Sequence, residues 1–212
     1  MSGEYVSWMA TPTPGKRKLL PRAERAASIL RAASRTFALG GYAETSMDDI
    51  AAEAGVNKLM LYRHFNSKHD LYRAVLDEVR SRLTALEHRP ATLEGIGAEQ
   101  AIPEARSTLL ATVRVARELP DAYRLLQEHA AHEPEFADIA GDIRARSTLK
   151  AERLLEPLIE DPDIRRWAAR LVTAVTQEAV LAWLDVGEPE HDEYVADRLA
   201  LMLGHMLGPL RA

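Results

Sequence analysis

The chain of 212 residues has no cysteine, which excludes disulfides, thiolate zinc sites and a cysteine nucleophile. It also lacks any run near the roughly 18 apolar residues that a membrane-spanning helix requires. Its first residues show no positive start followed by an apolar stretch, so no signal peptide is expected. We therefore expect a soluble, cytoplasmic protein, and we expect no cofactor.

Enzyme motifs are missing as well. The sequence contains nothing that resembles a nucleophile elbow, a glycine loop for phosphate or a paired metal motif. His129 and His132 lie three residues apart near Glu128, but Pro134 interrupts the segment and the spacing fixes no third ligand. We predict no metal site and no catalytic residue. A helical enzyme that uses His129 or Glu128 stays open as the weaker alternative.

Apolar residues recur at helical spacing, and no alternating pattern that would predict strands is present. We therefore predict an all-α chain. Pro21 is expected to start the first helix, Gly40 and Gly41 to end it, and Gly55 to end the second. The predicted helices cover roughly residues 21–39, 47–54, 58–65, 67–88, 104–118, 121–131, 134–159, 163–186 and 191–209.

The net charge of −5 is unevenly distributed along the chain. Residues 1–88 hold 13 Lys and Arg against 10 Asp and Glu, whereas residues 89–212 hold 14 against 22. Seven of the basic residues lie between Lys16 and Arg35, with a single acid among them. A basic front on an acidic body indicates that the front meets a polyanion.

The segment MDDIAAEAGVNKLMLYRHF has the pattern of a helix-turn-helix, the unit that places a second helix in the major groove of DNA. Gly55 is expected to make the turn and Asn57 to cap the second helix. Ile50, Val56 and Leu61 are suited to close a small core, which leaves polar and basic groups facing outward. An inert helical hairpin is the alternative interpretation.

Several motifs around this segment occur in a fixed order. They are FALGGY at residues 37–42, TSM at 45–47, IA at 50–51, AGV at 54–56, LYRHF at 61–65 and SK at 67–68. Over roughly residues 24–80 the sequence thereby resembles the N-terminal domain of the tetracycline-repressor (TetR) family of bacterial transcriptional regulators. The resemblance implies a three-helix helix-turn-helix domain followed by a helical C-terminal domain for ligand binding and dimerisation.

The resemblance and the breaks in the sequence divide the chain into four predicted parts. These are a disordered basic arm at 1–20, a DNA-binding domain at 21–66, a connecting helix at 67–88, and an effector-binding and dimerisation domain at 89–212. The resemblance implies a homodimeric repressor that a small-molecule effector releases from a pseudo-palindromic operator in double-stranded DNA. An architectural DNA-binding protein without an effector is the main alternative.

The resemblance also implies which side chains contact DNA. By position, the phosphate contacts are Thr45 and Ser46, the base contacts Asn57, Lys58, Leu59 and Met60, and the backbone contacts Tyr62, His64 and Lys68. Lys18 is a further candidate on independent grounds, because a basic arm is able to reach into the adjacent minor groove. Packing against the head is the alternative for Tyr62, and a solubilising tail is the alternative for the arm. Leu59 and Met60 depart from the family, which most often has a glycine and a small hydroxyl residue there.

Residue types in the second half give the remaining candidates. Effector sites between helices are usually apolar with a few convergent polar groups. The effector candidates are Tyr123, Leu126, His129, Phe136, Trp167, Leu171 and Gln177. The dimer-interface candidates are Val180, Trp183, Leu184, Leu199, Met202, Leu203 and Met206. Burial inside the core of one protomer is the alternative for each of them.

Overall fold

The computed structural model describes residues 21–87 and 98–210. Within these two ranges the chain forms nine α-helices and no strand, which confirms the all-α prediction. The arm predicted at 1–20 and the boundary predicted at 88–89 lie outside the described residues. The helices are α1 (Arg22–Glu44), α2 (Met47–Glu53), α3 (Lys58–Tyr62), α4 (Lys68–Glu87), α5 (Ala98–Glu118), α6 (Pro120–Arg124), α7 (Ala137–Leu155), α8 (Pro162–Val186) and α9 (Asp192–Leu207).

The first helix begins one residue later than predicted and is interrupted at the predicted glycine pair. Pro21 immediately precedes α1 with extended backbone (φ −50°, ψ 151°) instead of forming its first helical residue. Gly41 takes φ 74° and ψ 168°, a non-helical conformation that residues with a side chain rarely adopt, so the regular helix is interrupted there. Helical turns resume after this kink and continue to Glu44, which the sequence did not predict.

The turn between α2 and α3 forms as predicted. Gly55 has φ 64°, the left-handed conformation that ends α2. The side-chain oxygen of Asn57 accepts a hydrogen bond from the backbone N–H of Met60 at 2.8 Å, which caps α3. α3 ends at Tyr62, three residues earlier than predicted, and Phe65 turns back to pack against the core.

Three helices of the second half differ from the predictions. α5 begins at Ala98, before the predicted start at residue 104, and contains Pro103 in its second turn. The helix predicted at 121–131 divides into α6, a π-helical turn at Leu125–His129 and a 3₁₀ turn at Ala130–His132. α7 is shorter than predicted at both ends, and Pro157 follows its last residues, where it cannot continue the helix.

One continuous core joins the first four helices, which we call the head, to the remaining five, which we call the body. Phe37 and Tyr72 of the head are fully buried together with Tyr123 and Phe136 of the body. The ring centre of Tyr72 lies 4.9 Å from that of Phe37 and 4.4 Å from that of Phe136. α4 packs against α1 in the head and against α5, α6 and α7 in the body, so it belongs to both.

Candidate DNA-binding surface and effector cavity

α3 is fixed on its inner side and presents its first turn outward. Leu61 is fully buried and shares the head core with Ile50, whose side chain is also fully buried. Asn57, Lys58 and Leu59 are exposed at the start of the helix, and Leu59 is 72% exposed. Three of the four predicted base-contact residues therefore share one outward turn, as the docking of a recognition helix requires.

A basic cleft beside α3 was not among the predicted contacts. It is lined by Arg22, Arg25, Met60, Arg63 and His64. Met60, the fourth predicted base-contact residue, is only partly exposed, and its sulfur lies 3.6 Å from Nη1 of Arg25. The cleft has three guanidinium groups and no carboxylate, a composition that suits phosphate. Residues so far apart in sequence meet only in the fold, so no local motif predicts this cleft.

Lys58 forms an ion pair within the head. Its Nζ lies 2.8 Å from Oδ2 of Asp48, and both side chains are more than half exposed. The hydrogen bond to Asp48 and the charge of Asp48 raise the pKa of Lys58 above its usual value. The residue that is predicted to contact a base is therefore charged and has an acidic neighbour at hydrogen-bonding distance.

Thr45 and Ser46 face in opposite directions. Thr45 is 3% exposed, and its hydroxyl donates to the carbonyl of Gly41 at 2.7 Å and lies 3.3 Å from that of Thr36. Thr45 thus holds the kinked end of α1 and does not face outward, in contrast to the predicted phosphate contact. Ser46 is exposed and caps α2 in a reciprocal pair with Asp49, whose pKa is lowered by these hydrogen bonds.

The predicted backbone contacts also differ in their surroundings. Tyr62 is 42% exposed and His64 is partly exposed, so both reach the surface next to α3. Lys68 is partly buried, and its Nζ donates to the carbonyls of Tyr42 at 2.8 Å and Ala43 at 3.1 Å. This ammonium group links the start of α4 to the end of α1. Lys18 lies outside the described residues.

A cavity of about 850 Å³, measured to its open mouth, lies within the body and reaches α4. Its lining residues come from α4 to α9 and from the π-helical turn. Most of the wall is aliphatic, with contributions from Leu83, Leu86, Leu109, Ile143, Leu154 and Val172. The apolar lining is typical of a small-molecule site.

Only two of the predicted effector residues line this cavity, namely Tyr123 and Gln177. The other five do not: Leu126 and Phe136 belong to the buried core, His129 and Leu171 are partly buried elsewhere, and Trp167 is 55% exposed. Residue type was a poor guide because aromatic and aliphatic side chains pack equally well in a core and in a cavity wall.

Polar groups in the wall were mostly missed from sequence. Tyr123 is almost fully buried, and burial raises the pKa of its hydroxyl in spite of a hydrogen bond with Gln127. Thr112 donates its hydroxyl to the carbonyl of Thr108 at 2.9 Å. The hydroxyl of Thr108 is itself buried and has no hydrogen-bond partner in the described part of the chain.

α4 connects the cavity to the head. Leu83 and Leu86 of this helix line the cavity, while Leu71 and Tyr72 are fully buried in the core near its start. The hydroxyl of Tyr72 is buried without a hydrogen-bond partner among the described residues, and burial raises its pKa to about 12. The same helix therefore lines the cavity and packs in the core that also holds Leu61 of α3.

The predicted dimer-interface residues separate into two groups. Val180, Leu199 and Leu203 are buried within the protomer, Trp183 and Leu184 pack against its core, and only Met202 and Met206 are exposed, at 63% and 40%. Tyr194 and Leu201 lie on the same helix and are also exposed, at 56% and 42%. The outward apolar strip of α9 is thus narrower than the sequence pattern indicated, because the other residues of the stripe face α5 and α8.

Within residues 21–87 and 98–210, no helix is long and apolar enough to cross a membrane. The same residues contain no group of three or more side chains placed to hold a metal ion.

Comparison with known proteins adds the following matches. The family model described as "Bacterial regulatory proteins, tetR family" matches residues 29–75. The HTH-type transcriptional repressor Rv3405c of Mycobacterium tuberculosis is 37% identical over 140 residues, which cover 65% of this chain and 70% of that protein. The HTH-type transcriptional activator FasR of Mycolicibacterium smegmatis is 29% identical over 192 residues, which cover 84% of this chain and 81% of that protein.

Solved structures agree with the fold. A bacterial regulatory protein in the tetR family from Rhodococcus RHA1 aligns with a TM-score of 0.69 at 25% identity, over 87% of this chain and 97% of that chain. The transcriptional regulator FadR of Bacillus subtilis, solved in complex with stearoyl-CoA, aligns with a TM-score of 0.60 at 15% identity, over 84% of this chain and 96% of that chain.

Proposed function

Because the chain belongs to the tetR family of bacterial regulatory proteins, we propose that it is a homodimeric repressor that leaves its operator when a small molecule occupies the body cavity. Membership in this family makes the chain a helix-turn-helix transcriptional regulator. The outward first turn of α3 is the observation that carries the assignment of the DNA-binding residues.

Three side chains of that turn are assigned to base edges. Asn57 uses its amide oxygen to cap α3, which leaves its amide N–H groups to donate to a base acceptor. Lys58 is suited to the acceptors of guanine, and the exposed side chain of Leu59 is suited to the methyl group of thymine. The operator should therefore contain bases that match an amide, an ammonium and an aliphatic group.

Phosphate contacts are assigned to the basic cleft and its neighbours. Arg22, Arg25 and Arg63 line the cleft beside α3. Tyr62, at the end of α3, and Ser46, at the start of α2, are exposed. Guanidinium and hydroxyl groups position a protein on the duplex without reading its sequence. The inward orientation of the Thr45 hydroxyl favours Ser46 alone as the phosphate contact at the start of α2.

A dimer is needed to place two heads on one operator. Two recognition helices must lie about 34–36 Å apart to enter successive major grooves on one face of B-DNA. The exposed strip of α9 that contains Tyr194, Leu201, Met202 and Met206 is the proposed contact with the partner. Met202→Glu should give a monomer in analytical ultracentrifugation and should lose operator binding while it keeps its helical content.

Effector control is proposed to act through α4. A ligand in the cavity would contact Leu83 and Leu86, whereas Leu71 and Tyr72 of the same helix are packed in the core. A ligand changes operator affinity only by its differential affinity for two arrangements of the helix, commonly about 1–3 kcal/mol. A protein of similar fold, the transcriptional regulator FadR of Bacillus subtilis, was solved in complex with stearoyl-CoA.

The test begins with selection of bound duplexes from a random-sequence library by the full-length protein. Binding of the selected operator is then measured by fluorescence anisotropy at several salt concentrations. Arg63→Ala should weaken binding to all sequences and reduce the salt slope by about 1, whereas Lys58→Ala should also relax preference at one base position. Arg153→Ala, on the exposed surface of α7, is the matched control. Failure to enrich any duplex at low salt would refute the proposal.

The direction of regulation needs its own measurement, because the relatives include both a repressor and an activator. Transcription from a promoter that contains the selected operator should fall when the protein is added and recover when a cavity ligand is added. An architectural protein would bind DNA equally well with and without every cavity ligand. Stimulated transcription would assign an activator instead.

A further inference from the structure

The cavity wall has charge of one sign only. Among the described residues that line it there is no aspartate or glutamate, and Lys150 is the one residue with a formal charge. Tyr123 is the one aromatic side chain in the lining. A cation that leaves water needs a nearby carboxylate or several aromatic faces. The lining therefore offers no favourable place for a positively charged group.

Residues with uncharged polar side chains line the cavity from several helices, among them α5, α7 and α8. Thr108 on α5, Ser147 on α7, and Thr176 and Gln177 on α8 contribute hydroxyl and amide groups to an otherwise mostly aliphatic wall. Hydroxyl and amide N–H groups donate hydrogen bonds to oxygen acceptors. Together with the ammonium of Lys150, these donors favour a ligand whose polar end consists of oxygen atoms.

The Thr108 hydroxyl is the observation that points most directly to a ligand. Thr108 is one of the residues that line the cavity, and its hydroxyl is buried without a hydrogen-bond partner among the described residues. A buried hydroxyl without a partner lowers the stability of a protein, and such groups are rare. An acceptor atom of a bound molecule would receive a hydrogen bond from this hydroxyl, whereas a purely hydrocarbon ligand would leave the hydroxyl unpaired.

We propose that the effector is an apolar molecule without positive charge, whose polar end presents oxygen acceptors, as in an aliphatic carboxylate or alcohol. The inference rests on the proposed function of the cavity and names the chemical class that the cavity selects. The aliphatic lining holds the hydrocarbon part of the ligand, and the Thr108 hydroxyl donates to its oxygen. Lys150 adds attraction for an ionised acid.

The experiment compares three ten-carbon ligands that differ only in the head group: decanoate, 1-decanol and decylamine. Each is titrated against the full-length protein at pH 8, with displacement of the fluorescent probe N-phenyl-1-naphthylamine as the first readout and the melting temperature as the second. Decanoate and 1-decanol should displace the probe and raise the melting temperature. Decylamine, which is positively charged at this pH, should bind at least tenfold more weakly.

A charge-changing variant makes the comparison sharper. Gln177→Glu keeps the shape of the side chain and adds a carboxylate to the wall, so it should strengthen decylamine binding at least tenfold and weaken decanoate binding. Ala145→Glu adds the same charge on the exposed surface of α7 and should change neither affinity. An unchanged preference in Gln177→Glu would count against the argument from charge.

Thr108→Val tests the unpaired hydroxyl. This substitution keeps the branched shape, so the ligand-free protein should melt at the same or a higher temperature because a buried polar group without a partner is removed. Decanoate should bind about fivefold more weakly, the loss expected for one hydrogen bond. Unchanged decanoate affinity would remove Thr108 from the site.

Two outcomes overturn the proposal as a whole. One is decylamine binding as tight as decanoate binding, and the other is failure of all three ligands to displace the probe or raise the melting temperature. Operator DNA is absent from both readouts, so the result is independent of DNA binding. A protein that binds decanoate but no operator would support the ligand class while refuting the proposed regulator.

Discussion

Replacing Asp192 with alanine should destabilise the body, because two side chains, Arg117 and Trp183, would lose their hydrogen-bond acceptor in a nearly buried position. Asp192 is 9% exposed, and its Oδ1 accepts from Nε1 of Trp183 at 2.7 Å and from Nη2 of Arg117 at 2.9 Å. The same Nη2 also donates to the carbonyl of Gly187 at 2.7 Å. The carboxylate thereby joins the last turns of α5 and α8 to the first turn of α9.

The expected loss in the free energy of unfolding follows from the burial of the ion pair between Arg117 and Asp192. Removing one partner of a buried ion pair costs about 3–5 kcal/mol. The Arg117 side chain is still 21% exposed and keeps its bond to Gly187, so the lower end of this range applies to Asp192→Ala. For a chain of this size, about 3 kcal/mol lowers the melting temperature by roughly 6–12 °C. Asp192→Asn keeps the acceptor but not the charge, and should cost roughly 1–2 kcal/mol.

The pH dependence of this contribution has a defined sign. Burial acts to raise the pKa of Asp192, but the hydrogen bonds from Arg117 and Trp183 outweigh burial and hold the pKa below its usual value. A carboxyl with a lowered folded pKa contributes its full stability above the unfolded pKa of about 3.9 and loses it as the pH falls through the folded pKa. The stability difference between the unaltered chain and Asp192→Asn should therefore be constant from about pH 5 to pH 7 and shrink below about pH 4.

Circular dichroism with urea and with heating measures these differences. Asp163→Ala is the control, because Asp163 is an acid in the first turn of α8 whose side chain is 86% exposed, and its loss should change stability little. If the Asp192→Ala variant melts within about 2 °C of the unaltered chain, the reasoning for the buried ion pair is refuted. A stability difference for Asp192→Asn that grows as the pH falls would refute the sign of the pKa shift.

Further substitutions test the turn, a close contact and the DNA-binding surface. Gly55→Ala should lower the free energy of unfolding in urea by about 1 kcal/mol, because Gly55 has a φ of +64°, which alanine rarely adopts. Gly141→Ala should raise the free energy of unfolding by a similar amount, because Gly141 lies inside α7 with open space around the added Cβ. Gly187→Ala should lower the free energy of unfolding by about 1–3 kcal/mol, because its Cβ would overlap the ring of Trp183, and near-ultraviolet circular dichroism should show the ring displaced. Asp48→Asn should tighten operator binding several-fold in fluorescence anisotropy at low salt, because an acid beside the base-reading turn is removed; weaker binding would contradict this.

The features that sequence predicted well are those set within three or four residues. Gly55 forms the turn and Asn57 caps α3, because each residue acts on the backbone immediately next to it. The interruption at Gly41 belongs to the same class. A glycine pair permits a positive φ that interrupts a helix, but the sequence does not specify whether helical turns resume after it, as they do here up to Glu44.

The features that sequence did not predict depend on residues brought together by the fold. Arg25 and Arg63 are 38 positions apart and meet only because α3 packs beside α1. Thr45 has the residue type of a phosphate contact, yet its hydroxyl is bound by the carbonyl of Gly41. The cavity shows the same limit, because an aliphatic or aromatic residue at helical spacing predicts burial but not which of two apolar environments it enters. Tyr123 therefore lines the cavity, whereas other candidates of similar character lie in the core.

The position of α4 explains how a cavity in the body is able to affect α3. Leu71 and Leu83 are twelve residues apart on one continuous helix, which separates them by about 18 Å. Leu83 lines the cavity, and Leu71 is fully buried in the core that also holds Leu61 of α3. A helix transmits a tilt along its length because its backbone hydrogen bonds resist bending. We therefore expect a ligand that fits best when the cavity end of α4 is displaced to change the environment of Leu61, which would couple the two proposed sites through one conformational equilibrium.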